Sequence, residues 1–270
     1  MTAITRPFAA FYFAVTGFLA FLGELTYLLL QTAFRMPRAL LSGQGRRLGW
    51  SNVWAQMDRV GVKSIPIVCL VMFCIGAILS FQMAPVLKGF GALTLVPDII
   101  SIAVARELGP LVSAIVLTGF AGASIAAEMG TMVVSEEIEA LEAHAIDPIR
   151  FLVVPRVLAT TIMMICIAIV GDAAGAIGGM LTSAGFLGLG HELYIRHTFD
   201  ILHPRDFITG LAKSGVFGIL ISGLACRLGL SVTGGAQGVG VATTRTVVLT
   251  IVFLITVDLV FTGVLYYLGF

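Results

Sequence analysis

The stretch RELGPLVSAIVLTGFAGASIAAEMGTMVVSEEIEALEAHAIDPIRFLVVPR, residues 106–156, decides how the rest of the chain is interpreted. It opens with two opposite charges and a Gly-Pro break, and it continues as an apolar run rich in small residues from Leu111 to Ala127. A polar island with five acids follows, and apolar sequence resumes directly after Arg156. Long apolar runs are typical of membrane helices, so the pattern predicts a span that leads into a short amphipathic helix outside the bilayer.

The composition places the whole chain in a membrane. Of its 270 residues, 58% are hydrophobic and 11% are charged, whereas a soluble domain carries about 25% charged residues. The net charge of +1 argues against nucleic acid as a partner. The four cysteines and four histidines lack the spacing of metal ligands, so no metal site is expected. We therefore expect an all-α integral membrane protein without a soluble domain.

Hydropathy predicts five membrane spans in residues 64–270, at about 64–87, 102–127, 156–187, 207–230 and 246–270. Residues 1–63 precede them as an apolar segment, Phe8 to Phe34, and a basic linker. Small and polar residues around Glu24 form a stripe in the apolar segment, which favours a helix lying in the membrane interface over a sixth span. The linker contains six cations against one acid, and the positive-inside bias places it and the N-terminus in the cytoplasm, with the C-terminus in the periplasm. The cations are Arg35, Arg38, Arg46, Arg47, Arg59 and Lys63.

Glycine spacing gives the third predicted span a packing face. Gly171, Gly175 and Gly179 recur every four residues, and such small-residue patterns let two membrane helices approach closely. The loop 188–206 that follows is long enough for a short helix outside the membrane. The stretch 231–245 is rich in Gly and Thr, and we expect a loop there.

The polar island predicts a cytoplasmic helix at about 133–143. Ser135 is the expected N-cap, and acids in the first turn suit the positive end of the helix dipole. Val134, Ile138 and Leu141 form one apolar face. A solvated loop helix fits this pattern, and so does a docking helix whose apolar face enters a groove on a partner. The residues assigned to docking are Val134, Glu136, Glu137, Ile138, Leu141 and Glu142.

Ionisable residues at membrane depth mark candidate functional positions because burying charge in lipid is costly. Arg106 and Glu107 are adjacent, so they face different directions, and Lys213 on the same side of the membrane is a plausible partner for Glu107. These three residues define a candidate substrate pathway, although water at the interface would also accommodate them. For Asp172 and Asp258, hydrogen bonds between helices are the favoured interpretation.

The absence of one motif from the sequence limits the mechanism. No Gly-x-x-x-x-Gly-Lys-Ser/Thr stretch occurs, so an ATP-driven transporter would need its ATPase in another chain. The sequence shows no arrangement of a nucleophile and a base that would support an enzyme. An ion-coupled secondary transporter of a hydrophobic substrate, with Asp172, Asp258 and Glu107 as a relay, is the alternative.

Several motifs resemble the MlaE/YrbE permease family over about 64–270. They are RELGP at 106–110, AAEMGTM at 126–132, EEIEALE at 136–142, DPIRFLVVPR at 147–156 and ATTRTVV at 242–248. One departure is visible: the family usually carries Gly before the Asp-Pro, where this chain reads Ala143-His144-Ala145-Ile146.

The resemblance implies a permease homodimer with five spans preceded by an interfacial helix, in a bacterial inner membrane. It implies that residues 136–142 form the coupling helix that docks on a cytoplasmic ATPase dimer, which would bind the ATP and Mg. It further implies a periplasmic MCE-domain protein, in some systems a STAS-domain protein, and a phospholipid substrate. Family members of this type maintain the lipid asymmetry of the outer membrane.

Overall fold

The computed structural model describes residues 5–41 and 45–268, and every regular element in those ranges is a helix. This confirms the all-α class. Six helical segments are long and apolar enough to cross a membrane. The α-helices are α1 (Thr5–Leu41), α2 (Gly45–Val60), α3 (Ile65–Gly89), α4 (Val96–Ala103), α5 (Gly109–Leu117), α6 (Ala123–Val134), α7 (Glu137–Ala143), α8 (Val154–Phe186), α9 (His191–Ile201), α10 (Pro204–Leu230) and α11 (Gly235–Tyr267).

The second predicted span is longer than 102–127, because α4, α5 and α6 run end to end through two π-helical segments, Val104–Leu108 and Thr118–Gly122. The first π segment has a local cause. Pro110 has no N–H and its ring clashes with an ordinary helical turn, so a widened turn before it relieves the conflict. In agreement, the Gly109 N–H bonds to the Val104 carbonyl, five residues back. The segment carries both Arg106 and Glu107.

Helices α3 and α8 are in backbone contact along the glycine face of α8. A Cβ on Gly76 of α3 would lie 1.9 Å from the Gly175 carbonyl oxygen, and one on Gly178 would lie 2.1 Å from the Phe73 carbonyl oxygen. Gly171 and Gly179 are also buried, against Ser113 and Tyr194 respectively. Only glycine fits at such distances, so α3 and α8 form one closely packed pair.

Two sequence predictions about loops are wrong. Residues 45–60 of the predicted linker form α2, and residues 235–245 of the predicted Gly/Thr loop form the first three turns of α11. Threonine is tolerated there because its hydroxyl bonds within the helix, as Thr243 does to the Gly240 carbonyl at 2.7 Å. Gly238 is needed for packing, since a Cβ would lie 2.0 Å from the Thr233 carbonyl oxygen. The side chains of Arg38, Arg46 and Arg47, and the predicted end of the last span at Phe270, lie outside the described residues.

Several side-chain contacts tie α1 to the bundle. Glu24 forms an ion pair with Arg227 of α10, and Arg35 pairs with Asp147 at 3.0 Å. Nearer its start, the Phe18 ring stacks on Phe253 of α11 with 6.2 Å between centroids. Most of the other described side chains of α1 are exposed, and many of them are apolar. Its position in the membrane interface stays a prediction.

Candidate functional site

Lys213 lies at the centre of a polar cluster built from three helical segments. Its Nζ lies 2.6 Å from Glu107 Oε2, 2.7 Å from Thr262 Oγ1 and 3.0 Å from Asp258 Oδ1. The Thr262 hydroxyl donates in turn to Glu107 Oε1 at 2.9 Å. We call Glu107, Lys213, Asp258 and Thr262 the lysine cluster. Asp258 contributes a second carboxylate next to the ammonium group of Lys213.

Local backbone features bring these side chains together. Glu107 lies in the first π segment, where the wider turn changes the direction of its side chain relative to a regular helix. Gly210 allows α10 to approach this segment, since a Cβ there would lie 2.1 Å from the Ala105 carbonyl oxygen. Lys213 follows Gly210 by one helical turn and therefore faces Glu107.

Burial differs sharply within the lysine cluster. Lys213 is 1% exposed and Asp258 is 13% exposed, whereas Glu107 is 36% exposed. A buried ammonium group is tolerated only when it is paired and hydrogen-bonded, and Lys213 meets this condition. The predicted contact between Lys213 and Glu107 is present. Glu107 is the member of that pair that reaches the surface, so the structure does not place Lys213 where it could contact a ligand directly.

Arg106 has a different partner from its neighbour, as expected for adjacent helical positions. Its NH1 lies 3.4 Å from Asp206 Oδ1 in the first turn of α10. Asp206 also stabilises the start of that helix, because its Oδ2 accepts from the His203 N–H at 3.1 Å. Two residues of the second span thus contact α10 at Asp206 and Lys213.

The predicted docking helix is α7, and its boundaries differ from the prediction. Residues 133 and 134 end α6, and Ser135 is not an N-cap: its hydroxyl lies 3.0 Å from the Thr131 carbonyl and 3.1 Å from Glu137 Oε1. Glu136 takes the N-cap position with a left-handed φ of +60°. A left-handed residue turns the chain sharply, so α7 leaves the axis of α6 instead of extending it.

The two faces of α7 differ in their exposure to solvent. Ile138 and Leu141 are partly buried and pack against the chain's own core. Val134 is 43% exposed, and the acids Glu136, Glu137, Glu139 and Glu142 are exposed. The surface available for docking is therefore acidic, with Val134 at its edge. The docking role itself stays a prediction.

The turn after α7 ends the helix without glycine. Ala145 has φ +58°, and its N–H bonds to the Glu142 carbonyl at 2.9 Å while the Ile146 N–H bonds to the Leu141 carbonyl at 2.9 Å. This is a Schellman arrangement, in which glycine is the usual left-handed residue. The chain keeps the turn that a glycine would give, and it does so with a strained alanine.

An unpredicted ion-pair network lies close to α7. Glu128 of α6 bonds through Oε1 to Arg156 at 2.9 Å and through Oε2 to Arg59 at 2.8 Å. Arg156, only 4% exposed, also donates to the Leu152 carbonyl at 2.8 Å. We call Arg59, Glu128 and Arg156 the glutamate bridge. The sequence offered one signal for this network. Glu128 ends one apolar run, and Arg156 begins the next.

The short helix α9, expected between the third and fourth spans, is held against the opposite end of the bundle. Its His197 lies 3.0 Å from Asp98, and Thr198 accepts from Ser101 at 3.0 Å. Tyr194 is buried beside Gly179 and Ile100, and burial raises the pKa of its phenol to about 12. The buried Tyr194 side chain anchors α9 to the bundle.

Comparison with known proteins agrees with this architecture. Residues 53–264 match the family described as Permease MlaE. A probable ABC transporter permease protein of Rickettsia felis is 40% identical over 198 residues, which cover 73% of this chain and 76% of the relative. A similarly named protein of Synechocystis is 35% identical over 75% of this chain and 77% of the relative. Protein TRIGALACTOSYLDIACYLGLYCEROL 1, chloroplastic, of Arabidopsis thaliana is 32% identical over 79% of this chain and 61% of the relative.

Helices long and apolar enough to cross a membrane, six of them among the described residues, indicate a multi-pass membrane protein. The chain belongs to the MlaE permease family. It is therefore the permease subunit of an ABC transporter and not its ATPase, and this class implies a nucleotide-hydrolysing partner. The match begins at residue 53, within α2, earlier than the resemblance at 64 suggested.

Proposed function

We propose that this permease moves glycerophospholipids between the bacterial inner membrane and a periplasmic MCE-domain protein, and so maintains the lipid asymmetry of the outer membrane. In this proposal two copies of the chain form the permease, and a cytoplasmic ATPase dimer that binds ATP and Mg docks on α7, with or without a STAS-domain protein. The observation that carries it is membership of the MlaE family. The name of the Arabidopsis relative includes the name of a glycerolipid, and this supports a lipid substrate.

The arrangement of charges supports an orientation. Glu107 and Glu128 lie 21 residues apart on the same nearly continuous helical run, which corresponds to about 30 Å, the thickness of a bilayer core. The lysine cluster and the glutamate bridge would then lie near opposite membrane surfaces. In this proposal the glutamate bridge lies on the cytoplasmic side, which the basic residues of α2 favour through the positive-inside bias.

A role for the lysine cluster follows from its burial. Lys213 is enclosed by Glu107, Asp258 and Thr262, whereas Glu107 and Arg106 reach the surface. We propose that Glu107 and Arg106 meet the lipid headgroup or the MCE partner at the periplasmic mouth. Glu107 would also hold Lys213 in place, and breaking that contact would open the mouth. Apolar faces of the spans would accommodate acyl chains.

The test is ATP-dependent lipid transfer from proteoliposomes containing the permease with its ATPase and MCE partners. The wild-type complex should transfer phospholipid only with hydrolysable ATP. Glu107→Lys should abolish most transfer while the complex still assembles. Glu192→Lys, the same reversal on exposed α9, is the matched control and should retain transfer. Wild-type transfer by the Glu107→Lys complex would remove Glu107 from the mechanism, and lipid transfer by the permease without any ATPase would refute the function.

A second experiment addresses docking. Ile138 and Leu141 pack inward, so acids there would disturb the fold as well as any interface. Val134→Asp and Glu139→Lys alter exposed positions instead, and they should release the ATPase from the detergent-solubilised complex. Retention of the ATPase by both variants would contradict the docking assignment.

A further inference from the structure

The glutamate bridge connects three parts of the chain that meet beside α7. Glu128 lies in the middle of α6, Arg156 lies in the first turn of α8, and Arg59 lies in the last turn of α2. Helices α6 and α8 are the two elements that flank the α7 loop. The bridge therefore fastens both sides of that loop to α2, which leads directly into the first span, α3.

The ion pairs of the bridge are positioned to carry force. Arg156 is 4% exposed and is fixed from two directions, by Glu128 and by the Leu152 carbonyl. Glu128 bonds to each arginine through a different carboxylate oxygen. A movement of Glu128 away from one arginine therefore changes its contact with the other. Beside the bridge a pocket of about 200 Å³ opens between α2 and the start of α8, with Asn52, Gln56 and Phe151 in its wall. Elsewhere α2 packs directly on α8, and the ion pairs reinforce that contact.

Beyond α2, the connection is rigid. A Cβ on Gly61, just after α2, would lie 2.1 Å from the Met163 side chain, so the chain is closely packed on α8 at this turn. The backbone contact of Gly76 with Gly175 then joins α3 to α8 further along. A displacement that reaches α2 would therefore move α3 with α8.

We propose that Glu128 is a positioning residue that transmits movement of the α7 loop through Arg59 to α2 and the first span. This inference rests on the proposed function, because it describes how nucleotide turnover at α7 reaches the lipid pathway. In the absence of the Glu128–Arg59 contact, the ATPase would still dock and hydrolyse ATP. The stroke would then reach the first span only through the packing of α3 on α8, and less lipid would move per ATP.

The experiment measures lipid transferred per ATP hydrolysed by the complete complex in proteoliposomes. Arg59→Glu places a second acid beside Glu128 at a side chain that is 54% exposed, so folding should be preserved. We expect this ratio to fall about fivefold, within the range by which residues on a coupling route change coupling. Arg59→Lys keeps the positive charge and should give the wild-type ratio. Lys63→Glu reverses a charge at an exposed site nearby and should also leave the ratio unchanged.

A purely structural role would lower the amount of folded complex but would not change the ratio. A double-mutant cycle gives a second criterion: Arg59→Ala and Glu128→Gln should each lower the ratio, and the double variant should lower it no further. An unchanged ratio in Arg59→Glu, or fully additive effects in the cycle, would overturn the inference. If the wild-type complex moves no lipid with ATP, the proposed function fails instead, so the two failures are distinguishable.

Discussion

In the lysine cluster one cation lies between two carboxylates, whereas in the glutamate bridge one carboxylate lies between two guanidinium groups. The central group is 1% exposed in the first case and 29% exposed in the second. Both clusters use residues from three helical segments. The lysine cluster is therefore a buried and tightly fixed junction between helices. The glutamate bridge is more solvated, so its ion pairs can break and form again more easily.

The largest effect is expected at the centre of the lysine cluster. Lys213→Met keeps most of the volume of the side chain but leaves Glu107 and Asp258 without their cation. Removing one partner of a buried ion pair costs about 3–5 kcal/mol. We therefore expect a large fall in the melting temperature of the purified protein in detergent, and a lower yield of monodisperse protein.

A combined variant separates charge from packing in that experiment. Lys213→Met together with Glu107→Gln and Asp258→Asn removes the unpaired charges, so much of the lost stability should return. If the single variant melts like the wild type, or if the triple variant melts no higher than the single one, burial of charge does not govern this end of the molecule.

A smaller loss is expected at the centre of the glutamate bridge. Glu128→Gln keeps a hydrogen-bond acceptor but removes the charge between Arg59 and Arg156. Glu128 and Arg59 both reach solvent, and the buried Arg156 keeps the Leu152 carbonyl and the new amide oxygen as acceptors. The expected destabilisation is therefore about 1–2 kcal/mol. Thermal melting measures it, with Glu142→Gln on exposed α7 as the control. A loss equal to that of Lys213→Met would remove the distinction between the two clusters.

Much of this architecture could be predicted from the sequence, because hydropathy and length determine where a chain can cross a bilayer. The helix α9 and the close approach at Gly175 follow from local composition and spacing. The first three turns of α11 were missed because Gly and Thr have low helix propensity, which packing overrides. Helix α2 was missed because charge alone was used to assign a linker.

The charged clusters were only partly predictable. Glu107 and Lys213 could be paired because both lie on the same side of the membrane in the predicted topology. Asp258 and Thr262 join them through a tertiary contact between α10 and α11, and no sequence spacing encodes that contact. For the same reason the link from Arg59 to Glu128 was missed: the partners are 69 residues apart, on segments that no local pattern brings together.

The two ends of the molecule also differ in backbone strain. The non-glycine residues with positive φ in the described part of the chain, Glu136 and Ala145, both flank α7 near the glutamate bridge. Ala145→Gly should stabilise the protein by about 1 kcal/mol, because an L-residue is disfavoured in that conformation. Ala140→Gly inside α7 is the control and should destabilise by about 0.5–1 kcal/mol. Equal and same-signed shifts in melting temperature would show that Ala145 is not strained.

The smallest effect tests whether burial, rather than the ion pair itself, makes these clusters important. Arg196 and Glu192 on α9 lie 2.5 Å apart, closer than any pair of the glutamate bridge, but their side chains are 73% and 79% exposed. An exposed pair one helical turn apart contributes about 0.3–0.5 kcal/mol. Arg196→Ala should therefore change the melting temperature less than Glu128→Gln does, and the small change should vanish in high salt, where screening removes surface attraction. A loss as large as that of Glu128→Gln would mean that the distance between two charges predicts their contribution to stability better than solvent exposure does. The contrast between the lysine cluster and the glutamate bridge would then have no basis.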